Sequence, residues 1–199
     1  TSQNIRGEIL SGQKAELAAR GATKLLATEL ALEAKFTKYT LDTRSDENFD
    51  DRDELGWRVE ANARSRVMPG LTSDVQVLVD LNHLVYIFSK NSANNRWTRL
   101  FLLRSRFVHT PSRSVMHIPE FRISANYQDY DFETNPRQVR STVFRRLSIG
   151  DSLALALGER WSAALSGDYS LEELGRLYWA EFEEERSDQT NGASAAISF

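Results

Sequence analysis

The sequence predicts an all-β fold, an antiparallel up-and-down β-barrel of about eight to ten strands. Three observations lead to this prediction: apolar and polar residues alternate over long stretches, short and long connections alternate along the chain, and aromatic residues gather near strand ends. An alternation with a period of two is typical of a strand that has one apolar and one polar face. We interpret residues 1–199 as a single β-barrel domain, in which residues 1–21 form either a short helix or a peripheral N-terminal strand.

The composition excludes several classes of protein. With 25 basic and 28 acidic residues the net charge is -3, so the chain has no basic surplus for binding nucleic acid. The absence of cysteine excludes disulfide scaffolds, thiolate metal sites and cysteine nucleophiles. No run of about 18 apolar residues is present, so a transmembrane helix is not predicted. Hydrophobic residues make up 41% of the chain, which is low for a large two-layer core.

The first alternating segment lies between residues 22 and 43. Alanine, leucine, glutamate and lysine are good helix formers, so a helix is an alternative here. The period favours a strand, because Leu26, Leu30 and Leu32 share one strand face but do not form a helix stripe. Ala34 and Phe36 continue the same face.

The most regular alternation is found in "LGWRVEANARSRVMPGL". One parity is mostly apolar and consists of Leu55, Trp57, Val59, Ala61, Ala63, Ser65 and Val67. The other parity is mostly polar and consists of Gly56, Arg58, Glu60, Asn62, Arg64 and Arg66. The pattern recurs in "DVQVLVDLNHLVYIF", "FRISANYQDYDF", "LALALGERWSAALSGDYSL" and the terminal "NGASAAISF". Residues 172–185 fit it less well, and one or two helical turns are an alternative there.

The connections between the predicted strands alternate in length. The short ones are 19–22, 68–72, 110–113 and 158–160. The longer polar ones are 44–54, 90–96, 133–138 and a stretch within 172–190. Because every second connection of antiparallel hairpins lies at the same end of the sheet, all short turns are expected at one end. This asymmetry is typical of outer-membrane barrels, and it predicts a transmembrane barrel in the bacterial outer membrane.

Aromatic residues form two groups along the chain. The larger group lies near the predicted long loops and consists of Trp57, Tyr86, Phe88, Trp97, Tyr130, Phe132, Tyr178 and Trp179. The smaller group lies nearer the turns and consists of Phe107, Phe121 and Trp161. Such girdles mark the two membrane boundaries of outer-membrane barrels, although aromatic residues favour strands in any setting. The final Phe199 also resembles the C-terminal signature of bacterial outer-membrane proteins.

Four segments carry a resemblance to a known family. They are "HLVYIFSKNSANNRWTRLFLLRSRF" (83–107), "ANYQDYDFE" (125–133), "STVFRRLSIGDSLALAL" (141–157) and "GRLYWAEFEE" (175–184). Over about residues 75–185 the chain resembles an uncharacterised group of bacterial outer-membrane β-barrel proteins. The resemblance implies a fold and a location and transfers no functional residue. Members of that group are usually longer, which implies that this chain is the C-terminal part of a longer barrel.

The chain shows no assembled catalytic chemistry. It has no glycine-rich phosphate loop, no nucleophile elbow and no convincing acid–base pair, so we expect neither an enzyme nor a cofactor. Candidate Ca²⁺ ligands in the loop "SDENFDDRDE" are Asp46, Asp50, Asp51 and Asp53. The loop lacks the ordered spacing and the glycine of a calcium loop, so we interpret it as a solvated acidic loop without a metal. His83 lies on the apolar parity and is interpreted as a packed imidazole.

Two charged sets have alternative interpretations. Asp129, Asp131 and Glu133 share one parity and form either an acidic binding row or solvated groups near a loop, and we favour the second. The arginines are Arg64, Arg66, Arg104, Arg106, Arg145 and Arg146. They either line a lumen that favours anions or pair with acidic residues across strands. We favour the pairing.

The orientation of the apolar parity distinguishes a membrane protein from a soluble one. We expect residues 55–67 to turn their apolar parity toward lipid, because Ala61, Ala63 and Ser65 are too small to fill a core well. The predicted function is that of an outer-membrane barrel in contact with lipid, acting as a membrane anchor, a subunit of an envelope complex or a narrow pore. Other envelope proteins are expected partners. The alternative is a soluble envelope β-barrel or β-sheet module that binds a ligand or a protein.

Overall fold

The computed structural model describes residues 2–5, 8–43, 50–132, 140–158, 160–178 and 181–198, and for 2–5, 8–11, 43, 177–178, 181 and 198 it describes the backbone alone. Within these ranges the helical structure is one 3₁₀ turn, Ser92–Asn94. No helix in the described part of the chain has the length and apolar character needed to cross a membrane.

One antiparallel sheet contains all the strands of the described residues. They are β1 (Ser2–Ile5), β2 (Glu8–Leu25), β3 (Thr28–Thr43), β4 (Arg52–Met68), β5 (Leu71–Tyr86), β6 (Arg96–Ser112), β7 (Val115–His117), β8 (Glu120–Tyr130), β9 (Thr142–Leu157), β10 (Trp161–Tyr178) and β11 (Glu181–Ser198). Neighbours in the chain are neighbours in the sheet, except that β7 and β8 together occupy one position between β6 and β9. The predicted all-β, up-and-down architecture is confirmed, with ten strand positions.

The break between β7 and β8 does not interrupt the sheet. Pro119 has no N–H to donate, but its carbonyl accepts a hydrogen bond from Phe107 N at 3.0 Å. On the other side, Ile118 and Ser152 exchange two backbone hydrogen bonds of 2.7 and 3.2 Å. The polar backbone groups are therefore satisfied on both sides of the proline, and β9 pairs continuously with β7 and β8.

Short turns join the strands at one end of the sheet. They lie at residues 26–27, 69–70, 113–114 and 158–160. Three of these agree with the predicted turns, whereas the turn predicted at 19–22 is wrong because β2 continues through it. The helix suggested for residues 1–21 is wrong for the same reason: the described residues there are in β1 and β2.

The opposite end carries the longer connections. At that end β3, β5 and β8 finish at Thr43, Tyr86 and Tyr130, and the next strands in the chain, β4, β6 and β9, begin at Arg52, Arg96 and Thr142. The intervals between them fall where long loops were predicted. The prediction of a fourth long loop within 172–190 is wrong, and so is the helical alternative for residues 172–185. The ladder between β10 and β11 continues to Tyr178 and Glu181, so these strands are joined by two residues.

The sheet has almost no conventional core. Its accessible surface is 14040 Å², against roughly 9,500 Å² for a compact monomer of 22.7 kDa. Among the described residues, the buried hydrophobic ones are Leu41, Leu78 and Val143. A soluble domain of this size would bury far more apolar surface to offset the conformational entropy lost on folding.

The cross-strand register divides the side chains between two faces. The apolar face consists of the even-numbered residues of β3 and the odd-numbered residues of the other long strands, taking 187–197 in β11; the polar face holds the alternate residues. One row across the apolar face is Leu32, Ala61, Val77, Leu103, Ile123, Leu147 and Leu171. The residues of 55–67 that were predicted to share a face do so.

Candidate functional site

A row of alternating charges crosses the polar face. In register from β2 to β8 it consists of Lys24, Glu29, Arg64, Asp74, Arg106 and Glu120. Lys24 Nζ lies 3.6 Å from Glu29, and Arg64 Nη2 lies 3.3 Å from Asp74. Opposite charges directly across a ladder favour this register over one shifted by two residues. The row therefore helps to align five consecutive strand pairs.

Glu60 is the centre of a polar cluster on β4 and β5. One of its carboxylate oxygens accepts hydrogen bonds from Asn62 Nδ2 at 3.1 Å and Gln76 Nε2 at 2.9 Å. The other accepts one from Arg58 Nη2 at 3.1 Å. The Arg58 guanidinium also lies 3.6 Å from Asp80. Because the carboxylate accepts hydrogen bonds from three donors of the same sheet, its hydrogen-bonding needs are met within the cluster.

A second cluster joins β6 and β8. Arg104 donates two hydrogen bonds to Glu120, of 3.0 and 2.7 Å, in the bidentate geometry typical of strong arginine–carboxylate pairs. Arg122, which is in register with Arg104, also donates to Glu120 at 3.3 Å. One carboxylate thus holds together two arginines that face each other across neighbouring strands.

The favoured interpretation of the arginines, pairing across strands, describes most of them. Arg64 and Arg104 are paired as described above, and Arg146 Nε lies 3.3 Å from Glu172 on β10. Arg66 and Arg106 lie on the same polar face. Arg145 differs, because it lies on the apolar face, 4.0 Å from Glu173.

The apolar face carries a belt of ion pairs near its long-loop end. Lys38 lies 3.7 Å from Asp53, and Arg99 lies 2.7 Å from Asp129. The Arg145–Glu173 pair belongs to the same belt. Between this belt and the short turns the face is mainly Leu, Val, Ala, Phe and Ile.

Aromatic rings pack directly beside this belt. Trp57 stacks on Trp97 with 5.8 Å between ring centroids, and Phe36 lies 5.6 Å from Trp57. His83 stacks on Trp97 at 4.2 Å, and its Nε2 lies 2.8 Å from Asp131. His83 is therefore a packed imidazole with a carboxylate partner.

The predicted aromatic groups divide differently in the structure. Phe107, Phe121 and Trp161 lie on the apolar face toward the turns. Tyr86 and Tyr130, by contrast, fall on the polar face and do not belong to a girdle on the apolar side. Of the larger group, Trp179 and the side chain of Tyr178 lie outside the described residues. Phe199, on which the resemblance to the C-terminal signature rests, also lies outside them.

The candidate Ca²⁺ ligands are engaged in other contacts. Asp50 accepts a hydrogen bond from Asn91 Nδ2 at 3.3 Å, the buried Asp51 accepts one from Ile87 N through its backbone carbonyl at 3.0 Å, and Asp53 pairs with Lys38. Asp46 lies outside the described residues. Within those residues no three His, Asp or Glu side chains are placed to hold a metal ion.

The acidic row near β8 consists of paired groups where it is described. Asp129 binds Arg99, and Asp131 binds His83. Glu133 lies outside the described residues. One further hydrogen-bonded pair, His117 with Asp151, was not predicted from the sequence, although the alternation from Ile149 to Leu157 places Asp151 on the apolar face.

The apolar band is inclined to the strands. On the long-loop side, the first polar residue of the apolar face is Lys38 on β3, Arg145 on β9 and Asn191 on β11. Across the ladders, Arg145 is in register with Ala34 of β3, and Asn191 is in register with Leu30 of β3. From β3 to β11 the boundary moves eight residues, about 26 Å along the strands, over seven strand steps of about 4.8 Å. Averaged from β3 to β11, the angle is roughly 38°, which lies within the range of strand tilts in outer-membrane barrels.

The sheet has counterparts among solved structures, although no family model and no curated protein sequence matches the chain. One is the copper transporter OprC, with a TM-score of 0.55 and 11% identity over 96% of this chain. Another is the ferric yersiniabactin uptake receptor FyuA from Yersinia pestis, with a TM-score of 0.47 and 12% identity over 95% of this chain. Both are outer-membrane β-barrel proteins. The chain spans 34% of the length of each. At 11% identity, the likeness to OprC concerns the fold alone.

Proposed function

We propose that this chain forms part of the wall of an integral β-barrel in the bacterial outer membrane. The apolar face lies against lipid and the polar face lines the interior. The observation that carries the proposal is the inclined apolar band, because a membrane plane must cross tilted strands at the tilt angle. A soluble barrel also tilts its strands, but it would bury this apolar face, whereas Leu32, Val77 and Leu103 are exposed here.

The wall is completed by further strands. Among the described residues, no ladder joins β11 to β1 or β2. Unpaired N–H and C=O groups along such edges are too costly in a bilayer to remain open. Strands from the same polypeptide or from a partner therefore close the barrel, and 34% coverage of the copper transporter agrees with a barrel larger than ten strands. A narrow pore formed by this chain alone is thereby disfavoured.

The role of this part of the molecule is structural and non-enzymatic. Its charged clusters on the polar face satisfy one another, as the Glu60 and Glu120 carboxylates show. It anchors the protein in the outer membrane and surrounds whatever the interior passes or holds, alone or as a subunit of an envelope complex. Copper transport is a property of OprC, and no described cluster of ligands supports it here.

Lipid exposure of the apolar face tests the proposal. The chain has no cysteine, so single nitroxide labels can be attached at Val77→Cys and Gln76→Cys in the assembled barrel. These neighbours on β5 face opposite sides, and the Val77 side chain is exposed. We expect the label at residue 77 to collide with oxygen dissolved in lipid, and the label at residue 76 to be protected from it.

Two results would contradict the proposal. One is release of the protein from membranes by salt or alkali without detergent. The other is equal, low exposure of both labels to lipid, which is the expected result for the soluble sheet module.

A further inference from the structure

His117 and Asp151 form a hydrogen-bonded pair of ionisable groups on the apolar face. His117 Nε2 lies 2.7 Å from one carboxylate oxygen of Asp151 and 2.9 Å from the other. The side chain of Asp151 is 58% exposed and that of His117 is 37% exposed. His109, on β6, stands in register with His117 and is on the same face.

Asp151 lies near the middle of the apolar band. Along β9 it follows Leu147 and Ile149 and precedes Leu153, Leu155 and Leu157, all on the same face. The distance from Leu147 to Leu157 is about 33 Å along the strand, or roughly 26 Å across a membrane at the tilt derived above, close to the height of an outer-membrane apolar band. Of the described residues on this face between the ion-pair belt and the turns, Asp151 alone carries a carboxylate.

An ionisable pair in this position is costly against lipid tails. Charged groups inside a bilayer are rare on lipid-facing surfaces and mark functional contacts. The residues beside the pair are also small, so their side chains project little from the sheet. Gly167 lies directly opposite Asp151 on β10. Ala193 follows in the same row on β11. Small residues let two membrane-embedded surfaces approach closely.

We propose that this surface, defined by His117, Asp151, Gly167 and Ala193, is a lateral contact between two copies of the barrel. The inference rests on the proposed function. The occupant is a second copy because the surface presents one donor and one acceptor side by side. Within one copy the two groups bond to each other but remain exposed. Around a twofold axis His117 of each copy also faces Asp151 of the other, so an isologous interface removes both groups from contact with lipid. Headgroup phosphates lie at the membrane surface and do not reach a pair near the middle of the apolar band.

Cysteine cross-linking in native outer membranes tests the contact. Gly167→Cys is introduced into the full-length polypeptide, and Ala61→Cys is the matched control, since it lies on the lipid-facing side of β4, five strand positions away from β10. We expect oxidation to give a dimer of the protein with itself at residue 167 and none at residue 61. Adding Asp151→Asn to Gly167→Cys should lower the dimer yield roughly tenfold, the scale of a lost charge-assisted hydrogen bond.

Exchange of the two groups provides the decisive variant. The double change His117→Asp with Asp151→His keeps a donor and an acceptor on the surface, so the dimer yield should return. The proposal is overturned by no dimer at residue 167, by equal dimers at both sites, by cross-links only to another protein, or by a yield that Asp151→Asn leaves unchanged. Heat-modifiable mobility in gels verifies that each variant is folded, and the lipid exposure of residue 77 reports separately on the proposed function.

Discussion

At the residue scale, Glu120 shows how the polar face is held together. It lies between Arg104 and Arg122, which are directly opposite each other in the ladder between β6 and β8. Two arginines in that position repel each other. The Glu120 carboxylate offsets this repulsion because it pairs with both guanidinium groups. Because these groups remain partly exposed, each contact contributes modestly to stability.

Removing that carboxylate should expose the repulsion. We expect Glu120→Gln to lower the free energy of unfolding of the assembled barrel by about 1 kcal/mol, since both arginines lose their partner at once. The measurement is urea unfolding in phospholipid vesicles, followed by tryptophan fluorescence. Adding Arg122→Gln should recover part of the loss, and Glu29→Gln, in an exposed pair, should cost less. A loss that Arg122→Gln deepens would contradict this account.

At the element scale, the turns combine chain geometry with contacts across the sheet. Gly70 has a φ of 78°, in the left-handed region that favours glycine. It also approaches β6 closely: Thr110 N donates to the Gly70 carbonyl at 2.6 Å, and a Cβ at residue 70 would lie 2.5 Å from the Thr110 carbonyl oxygen. Gly158 has a similar φ of 83° but open space around it.

These two turns make a matched pair of predictions. Gly158→Ala should cost about 1–2 kcal/mol for the backbone conformation alone, and Gly70→Ala should cost more, because the Thr110 carbonyl must also move. Gly21→Ala is the control, since it has neither a positive φ nor a neighbour within 4 Å of the added Cβ. The same urea unfolding measurement ranks the three, and equal losses at residues 70 and 158 would show that the contact with Thr110 is unimportant.

The element scale also shows where sequence signals were misleading. Gly21 favoured a turn at 19–22, yet it lies within β2, where nothing crowds it. The actual turn includes Leu26, which adopts a φ of 54° without being glycine. Because the turn carries no residue that favours it locally, the long ladder between β2 and β3 sets its position. Tertiary pairing thus overrides local propensity here.

At the scale of the whole molecule, the two ends of the sheet differ in connection length. We expect segments 44–51 and 87–95 to face the outside of the cell and the short turns to face the periplasm. A membrane-impermeant thiol reagent added to intact cells should label Asp50→Cys and leave Ser112→Cys unlabelled until the outer membrane is permeabilised. Both side chains are exposed, so accessibility within the protein does not bias the comparison. Labelling of residue 112 alone would invert the orientation.

Alternation within single strands was sufficient to determine an all-β protein with one apolar and one polar face. It also determined on which face residues 55–67 and His83 lie. The reason is that successive side chains of a strand point to opposite faces, whatever the neighbouring strands are. Only the tertiary structure decided which residues stand in one row. Register depends on turns and on contacts between residues distant in the chain, and no single strand encodes it. For that reason the partners of Glu120, the inclination of the apolar band, the open edges of the sheet and the position of Asp151 near the middle of the band emerged only when the strands were aligned.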